Sequence, residues 1–396
     1  MEEKKWFVID MELLNQEKVY VIADNVVNSL GYSTVEVATA MKEFRSGCQQ
    51  ITGFIDATTP AMLGAICKLS FKEKFENIAT SKEFTFFEQL LIFSIQAALS
   101  QTKIDTGSQE VLFLFSTTKG NIEWLEHPLF DNEKIHIWKS AALVTRYFNN
   151  KNKSLIISNA CISGTQAIIT AKYLLQTKQF KHIIVCGADV LSRFIVSGFH
   201  SFKALSPQIC KPFDIHRDGL NIGEGAATMI LSLNKENAED IEVFSGASSN
   251  DANHISGPSR TGEGLYLAME KALQKVDRKQ LAFINAHGTA TPFNDEMEAI
   301  AFSRAQLEQV PVNSYKAYFG HTLGAAGLME TALSAYALKH NFVFGSKGYE
   351  YHGVSVPINI NSTLSEAKGI YCLKTASGFG GCNAALVLKK GGCSGE

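Results

Sequence analysis

The sequence lacks an excess of charge of either sign. Its 37 lysines and arginines nearly balance 39 aspartates and glutamates, so the formal net charge is −2. This balance provides no electrostatic footprint for nucleic acid and no basic stripe for an anionic membrane. Long apolar runs are also missing, because stretches such as residues 90–99 fall well short of the ~20 apolar residues that a membrane span needs. Residues 1–10 carry acidic side chains and too short an apolar run for a signal peptide.

The eight cysteines form no recognisable pattern. They include no Cys-x-x-Cys pair and no neighbouring histidine at zinc spacing, so the sequence predicts no metal site. Disulfide frameworks belong to small secreted chains, whereas this chain has 396 residues. We therefore expect reduced thiols and a location in the cytoplasm.

Apolar residues make up 45% of the chain and charged residues 19%, which is typical of a folded protein with a large core. Short apolar runs alternate with longer segments of helical period, which predicts an α/β fold of two or three domains or one duplicated unit. Residues 234–240 are polar and form either a connector or a solvated loop within one domain. Strands are expected at 19–22, 111–115, 154–158, 182–186, 241–244, 281–284 and 384–388, and helices at 87–99, 163–176, 265–276 and 327–339.

Two segments share one plan, in which a reactive side chain opens a helix of small residues. Cys161 is the reactive side chain in residues 158–171, and His321 is the reactive side chain in residues 319–333. The similarity indicates either a duplicated fold whose equivalent helix starts meet at a shared centre, or a chance likeness of two helices rich in alanine and glycine.

Cys161 is the strongest candidate for a nucleophile, although most cysteines are small buried hydrophobes. It lies between a predicted strand and the first turn of a predicted helix, where free N–H groups and the positive end of the helix dipole favour a thiolate. The same N–H groups could stabilise an oxyanion formed when a carbonyl is attacked there.

Two histidines lie at junctions where a side chain can enter a cleft. His287 ends a predicted strand and His321 precedes a predicted helix, and each is next to a glycine. A cysteine and two imidazoles suit acyl-thioester chemistry, because the sulfur accepts the acyl group while imidazole N–H groups donate to the developing oxyanion. Lys316 adds a cation close to His321 in sequence, and it would bias the protonation of neighbouring groups.

Glycines flank Phe379 and allow the backbone to approach a ligand closely. The same run of residues, 377–383, also suits a tight turn before the last predicted strand. Glycines at 223–225 and 320–327 lack dinucleotide or Walker spacing, so the sequence predicts no phosphate loop there.

Taken together, these motifs strongly resemble the β-ketoacyl-acyl carrier protein synthases of the thiolase superfamily, specifically the elongating type I/II branch. They occur in family order and cover the chain from about residue 154 to its end. The matching segments are 159–165, 187–189, 211–219, 223–225, 285–292, 316–327 and 378–381.

The resemblance implies a duplicated, five-layered αβαβα thiolase fold and an obligate dimer, usually a homodimer but in some members a heterodimer with a second ketosynthase-like subunit. Residues 1–236 would form the half that carries the nucleophile, and residues 237–396 the half that carries the histidines. The implied partner is acyl carrier protein. No metal or redox cofactor is implied, because the substrates are carried on the phosphopantetheine of that partner.

The resemblance also implies roles for single residues. Cys161 resembles the acyl-accepting nucleophile, and His287 and His321 resemble the pair that polarises the malonyl thioester during decarboxylation and condensation. Lys316 resembles the charge that organises the site, with Glu298 as its acidic partner.

Three further residues match the family motifs. The backbone N–H groups of Cys161 and Phe379 resemble the oxyanion hole, and the Phe379 ring resembles a gate. Thr289 and Thr291 match positions that hydrogen-bond the phosphopantetheine arm.

The implied activity is that of a 3-oxoacyl-acyl carrier protein synthase working by a ping-pong mechanism. An acyl group moves from carrier protein to Cys161, malonyl-carrier protein then loses carbon dioxide, and the resulting carbanion attacks the acyl-enzyme. The pathway would be fatty acid, polyene or polyketide-type biosynthesis.

Some segments depart from the family pattern. Residues 23–25 replace the usual glycine-rich turn, residues 82–88 are mostly aromatic where a basic stretch often docks carrier protein, and residues 357–359 lack a threonine. Such changes suit a specialised synthase for a pigment or polyene at least as well as fatty acid synthesis, and they leave a different docking surface open.

Two alternatives remain at this stage. The chain-length subunit of a ketosynthase heterodimer usually lacks the nucleophile, whereas Cys161 is present with both histidines. A degradative thiolase needs a second cysteine near the C-terminal glycines, where Cys382 lies, but the context of His321 and the Gly-Phe-Gly-Gly run favour a synthase. An initiating synthase that uses acyl-CoA would carry asparagine in place of His321.

Overall fold

The computed structural model describes most of the chain. The described residues are 17–52, 54, 62–67, 71, 74–76, 83–127, 131–237, 239–251, 253–255 and 257–391. Residues 1–10, for which no signal peptide is predicted, lie outside these ranges, as do Lys82 and Cys393. The seven cysteines inside them are reduced and form no disulfide bond. In this part of the chain, no helix has both the length and the apolar character to cross a membrane.

The strands of the described chain belong to one large sheet and two small ones. They are β1 (Tyr20–Val27), β2 (Cys48–Ile51), β3 (Met62–Ala65), β4 (Val111–Ser116), β5 (Leu155–Ile157), β6 (His182–Asp189), β7 (Ile222–Gly223), β8 (Gly225–Ser232), β9 (Ile241–Asn250), β10 (Leu281–Asn285), β11 (Val312–Asn313), β12 (Phe342–Val343), β13 (Ser365–Glu366), β14 (Tyr371–Gly378) and β15 (Cys382–Lys389). The large sheet has the order β11-β10-β14-β15-β9-β1-β8-β6-β4-β5. Its two halves join where β1 pairs with β9.

The α-helices of the described chain surround this sheet. They are α1 (Thr34–Lys42), α2 (Phe86–Leu99), α3 (Ile137–Tyr147), α4 (Ser163–Gln176), α5 (Arg193–Ser201), α6 (Glu263–Ala272), α7 (Pro292–Arg304), the short α8 (Lys316–Phe319) and α9 (Ala326–Lys339).

Strand β4 shows how the layers arise. Leu112 and Leu114 belong to one apolar cluster, and Val111, Phe113 and Phe115 to another, because successive side chains of a strand face opposite sides. The first cluster holds α4 and α9 between the two halves of the sheet, while α2 packs in the second cluster and α6 and α7 pack in a third. The predicted α/β class and layered arrangement are confirmed.

Most of the predicted elements are present, with ends that differ by a few residues. The helix predicted at 163–176 is α4, and polar residues 234–237 and 239–240 connect β8 to β9. Strands β8 and β14 are absent from the prediction, because glycine, serine, threonine and lysine interrupt their apolar runs.

The two helices that follow the reactive residues cross at glycines. A β-carbon added to Gly164 of α4 would lie 2.4 Å from the backbone nitrogen of Leu328 in α9. One added to Gly327 would lie 2.3 Å from Thr165 Oγ1. The starts of α4 and α9 therefore meet at the centre of the molecule, at a distance that permits no β-carbon.

We expect Gly164→Ala to lower the free energy of unfolding by about 1–3 kcal/mol, because its new methyl group meets the backbone of α9. Gly198→Ala in α5 is the matched control, since nothing lies within 4 Å of its added β-carbon. That variant should gain up to about 1 kcal/mol from helix propensity. Urea unfolding of both variants tests the contact, and equal stability of the two would contradict it.

Candidate active site

Cys161 lies in a strained turn between β5 and α4. The preceding residue, Ala160, has φ of 44°, in the left-handed region that is unfavourable for a side chain with a β-carbon. Ser163 Oγ stabilises this turn, because it accepts a hydrogen bond from the Asn159 N–H at 2.8 Å and donates one to the Ala160 carbonyl at 2.6 Å. The expected place of Cys161 at the start of a helix is confirmed.

His287 follows the end of β10 and is held through its backbone. Its N–H donates to Glu298 Oε1 at 2.7 Å, and the N–H of Gly288 donates to Glu298 Oε2 at 2.6 Å. Thr375 Oγ1 also donates to Glu298, at 3.1 Å. The Glu298 carboxylate therefore fixes the turn that carries the His287 imidazole.

His321 is held by the half of the fold that carries the nucleophile. Its N–H donates to the Asn221 carbonyl at 2.7 Å, and its carbonyl accepts from the Gly223 N–H at 3.0 Å. Asp189, at the end of β6, accepts from the Gly324 N–H at 2.7 Å. The glycines of this loop allow its backbone to lie close to β7 and to the end of β6. No phosphate loop was predicted for these glycines.

The structure brings the three predicted reactive residues together. The ligating atoms of Cys161, His287 and His321 lie within 4.8 Å of one another, and the two imidazole rings have centroids 5.1 Å apart. The side chains are 8%, 4% and 1% exposed, respectively. Neither ring nitrogen of His321 has a hydrogen-bond partner among the described residues, so both are free for a substrate.

These three residues line a cavity of about 480 Å³ that also contains the predicted pantetheine contacts. The hydroxyls of Thr289 and Thr291 lie 2.9 Å apart in its wall. The two threonines and the three reactive side chains therefore share one cavity.

Phe379 belongs to an aromatic cluster at the same cavity. Its ring is 40% exposed and stacks on Phe199, with a centroid distance of 5.8 Å, and meets Phe202 edge-on at 5.5 Å. A β-carbon on the neighbouring Gly378 would lie only 3.1 Å from the Cys161 backbone nitrogen. The glycines therefore bring the Phe379 segment against the nucleophile turn.

The predicted pairing of Lys316 with Glu298 is wrong. Lys316 Nζ instead forms an ion pair with Glu330 of α9, and both side chains are fully buried. The other oxygen of Glu330 accepts from Lys374 Nζ at 2.5 Å. Glu298 does not fill the expected role because its two oxygens already accept the N–H groups of the His287 turn.

Burial sets the charge of the reactive groups. It lowers the pKa of His287 and His321 well below the usual value, and the nearby Lys316 lowers both pKa values further. Burial also raises the pKa of the Cys161 thiol to about 12, helped by Cys382 and opposed by Lys316 and Lys119. The helix start favours a thiolate and burial opposes it, and burial has the larger influence on the pKa of Cys161, so the expected thiolate stays a prediction. Both imidazoles are uncharged at neutral pH, because burial and Lys316 lower their pKa values.

Sulfur and imidazole are also zinc ligands, so the same three side chains are candidate metal ligands. A metal ion would require the Cys161 thiolate, whose formation burial opposes. The ammonium groups of Lys316 and Lys374 are buried nearby and would repel a cation. We do not assign these residues as metal ligands, and the prediction of no metal stays a prediction.

Glu330, Lys374 and the aromatic partners of Phe379 were not predicted from the sequence, and Asp189 lies in the matching segment 187–189 without an expected role. A signal for the first two was available, since Glu330 is the single acidic residue of the buried helix α9 and Lys374 is the single charged residue of β14. A charged residue inside an otherwise apolar segment usually has a buried partner. No comparable signal marks Phe199 and Phe202.

Comparison with known proteins agrees with this site. Residues 71–238 match the family model of the beta-ketoacyl synthase N-terminal domain, and residues 242–350 match that of the C-terminal domain. The chain is 25% identical over 412 residues to 3-oxoacyl-[acyl-carrier-protein] synthase 2 of Coxiella burnetii, which covers 95% of this chain and 99% of that protein. It is 32% identical over 253 residues to the synthase 2 of Rhizobium meliloti, or 59% of this chain and 60% of that one.

Solved structures share the fold. A chain of the ketosynthase ApeO in complex with its chain length factor ApeC, from Xenorhabdus doucetiae, superposes with a TM-score of 0.84 at 23% identity, covering 94% of this chain and 98% of that one. A beta-ketoacyl synthase from Burkholderia phymatum superposes with a TM-score of 0.84 at 23% identity, covering 94% and 99%. With the family models matching most of the sequence, this chain belongs to the β-ketoacyl synthases of the thiolase superfamily and is an acyltransferase of the 3-oxoacyl-acyl carrier protein synthase class.

Proposed function

We propose that this synthase condenses an acyl group held on Cys161 with malonyl-acyl carrier protein, with loss of carbon dioxide. The observation that carries the proposal is the grouping of one thiol and two uncharged imidazoles within 4.8 Å at a 480 Å³ cavity. Each of the three groups has a place in the two half-reactions that follow.

In the first half-reaction, Cys161 Sγ attacks the carbonyl carbon of the acyl thioester. The thiol proton passes to a neighbouring imidazole, which is uncharged and can accept it. The backbone N–H groups of Cys161 and Phe379 stabilise the oxyanion. The bond from the carbonyl carbon to the carrier sulfur breaks, and the carrier thiolate takes the proton.

In the second half-reaction, malonyl-carrier protein loses carbon dioxide and leaves an enolate. His287 and His321, as uncharged imidazoles, donate N–H hydrogen bonds to the thioester oxygen as negative charge develops on it. The carbanion attacks the acyl carbon, and the bond from that carbon to Cys161 Sγ breaks. The sulfur leaves as thiolate and takes a proton from solvent, which is the one proton that the condensation consumes.

The remaining residues serve substrate entry. Thr289 and Thr291 hydrogen-bond the phosphopantetheine arm, and the exposed ring of Phe379 controls access between the arm and the acyl pocket. No cofactor is required, because the carrier supplies the thioester. A nucleophilic free thiol supports a reducing compartment, the cytoplasm.

The chain acts as a dimer, either with its own copy or with a second ketosynthase-like subunit. Strand β5 ends the large sheet, and its Leu155 is 40% exposed, which leaves an edge for a partner. The ApeO ketosynthase forms a complex with a chain length factor.

We place the halves of the fold at residues 1–236 and 237–396. The pathway is fatty acid, polyene or polyketide-type biosynthesis.

A role as the non-catalytic chain-length subunit remains the second candidate function. The presence of Cys161 in a formed turn beside both imidazoles disfavours it. Incubation with malonyl-carrier protein and a panel of acyl-carrier proteins, followed by mass spectrometry, tests the proposal. A 3-oxoacyl product supports catalysis, and its absence with every acyl group would contradict it.

Cys161→Ala should abolish acyl transfer and condensation, because no other group can hold the acyl chain. Decarboxylation of malonyl-carrier protein should persist, since the histidines remain. Cys186→Ala is the matched control, because Cys186 is buried in β6 within a separate apolar cluster. Condensation by Cys161→Ala at the rate of this control would remove Cys161 from the mechanism.

His321→Ala and His287→Ala should each slow malonyl decarboxylation by about 10²–10³-fold, because each removes a donor to the developing oxyanion. In at least one of the two variants, the rate of Cys161 acylation should fall less than the rate of decarboxylation, because the remaining imidazole can accept the thiol proton. His340→Ala, an exposed histidine at the end of α9, serves as control. Decarboxylation at the wild-type rate would exclude the substituted histidine from this step.

Alkylation of Cys161 by iodoacetamide should accelerate about tenfold for each pH unit from pH 7 to pH 9. The reason is that only the thiolate reacts, and a thiol with a pKa of about 12 stays mostly protonated below that value. Mass spectrometry of the Cys161 peptide follows the reaction. A plateau reached below pH 8 would show that the thiolate already exists at rest.

A further inference from the structure

Lys374 is a fully buried lysine that the proposed mechanism does not use. It lies in β14, at 0% exposure, among apolar neighbours of the strand. Its Nζ donates to Glu330 Oε2 at 2.5 Å and to the carbonyl of Ala286 at 3.3 Å. Burying an ammonium group costs free energy unless the group has partners, and these two contacts provide them. They also identify the two segments that the lysine holds.

The two contacts of Lys374 reach the segments of both catalytic histidines. Ala286 directly precedes His287, so one hydrogen bond holds the backbone from which that imidazole extends. Glu330 pairs through its other oxygen with Lys316, which begins the short helix α8 before His321. Lys374 therefore links the His287 segment to the pair of residues beside His321.

The cluster of Lys316, Lys374 and Glu330 carries one more positive than negative charge, and Glu298 offsets part of the charge of Lys374. Two ammonium groups, Lys316 and Lys374, share the single carboxylate of Glu330. The other charged or titratable groups that face the imidazoles are Cys161 at the start of α4, the half-buried Lys119 after β4, and Glu298 of α7, whose oxygens are occupied by backbone N–H groups. Lys316 and Lys374 both lower the pKa of His287 and of His321.

We propose that Lys374 is a positioning residue of the condensing site, which cross-links the two histidine segments through Ala286 and Glu330 and places its ammonium group beside both imidazoles. This inference rests on the proposed function, because it assigns Lys374 to the decarboxylation step. It acts on the histidines and not on the thiol, since Cys161 is influenced by Lys316 and Lys119.

The test uses Lys374→Met, which keeps most of the length of the side chain and removes its charge and hydrogen bonds. Removing a positive charge raises the pKa of the imidazoles, so they become protonated at a higher pH. The acid limb of the pH profile for malonyl-pantetheine decarboxylation should move up by about one pH unit, and kcat at pH 7 should fall about tenfold. The rate of acyl transfer to Cys161 should fall less than the rate of decarboxylation, because either imidazole can accept the thiol proton.

A double variant separates charge from positioning. Lys374→Met combined with Glu330→Gln leaves Lys316 as one unpaired positive charge, the same net charge that the wild-type cluster has. Its acid limb should return to the wild-type position, while kcat stays low because the link to Ala286 is still missing. If the acid limb of the double variant stays displaced, the charge of Lys374 does not set its position, and this part of the proposal is overturned.

Lys172→Met is the matched control, because Lys172 is a buried lysine of α4 for which no contact with the three reactive groups exists among the described hydrogen bonds and ion pairs. It should leave the pH profile and kcat unchanged. Thermal unfolding of every variant accompanies the kinetics, and Lys374→Gln, which retains an N–H donor, replaces Lys374→Met if that variant fails to fold.

The two levels of the proposal fail in different ways. If wild-type protein neither decarboxylates malonyl-pantetheine nor forms a 3-oxoacyl product, the proposed function is wrong. If wild type does both and a folded Lys374 variant has the wild-type pH profile and kcat, the function stands and the role of Lys374 is overturned.

Discussion

A single buried carboxylate organises the active site. Glu330 accepts from two buried ammonium groups, Lys316 and Lys374, and so joins helix α9 to the short helix α8 and to strand β14. Breaking such a buried pair by removing one partner typically costs about 3–5 kcal/mol, because an uncompensated charge remains in the core. Neither Glu330 nor the two lysines line the cavity, so the segments that carry His287 and His321 are linked by an interaction outside its wall.

Burial decides how the chemistry begins. The environment that raises the pKa of Cys161 also lowers the pKa of His287 and His321, so burial opposes a thiolate-imidazolium pair. The start of α4 and the nearby Lys316 act in the other direction on Cys161, and the balance between these influences sets how readily the thiol loses its proton.

The reactive residues could be found from the sequence because their local context is distinctive. Cys161 and His321 each open a helix of small residues, and the crossing at Gly164 and Gly327 explains why alanine and glycine recur there. The ion pair of Lys316 could not be assigned in this way, since proximity in sequence does not show which carboxylate is already satisfied by backbone N–H groups. Strand β14 was not predicted for a related reason. Its buried Lys374 interrupts an apolar run, and the Glu330 that pairs with this lysine is distant in sequence.

The two halves of the fold contribute unequally to the precision of the site. The backbone of His321 is hydrogen-bonded to Asn221 and Gly223, and Asp189 anchors the same loop at Gly324, so the nucleophile half holds a histidine of the other half directly. At the cavity mouth, by contrast, the Phe379 ring is 40% exposed and contacts other aromatic rings. Hydrogen bonds to the backbone are thus concentrated around His321, whereas aromatic contacts surround Phe379, so a substitution at Phe379 can change the cavity without altering the backbone that positions the imidazole.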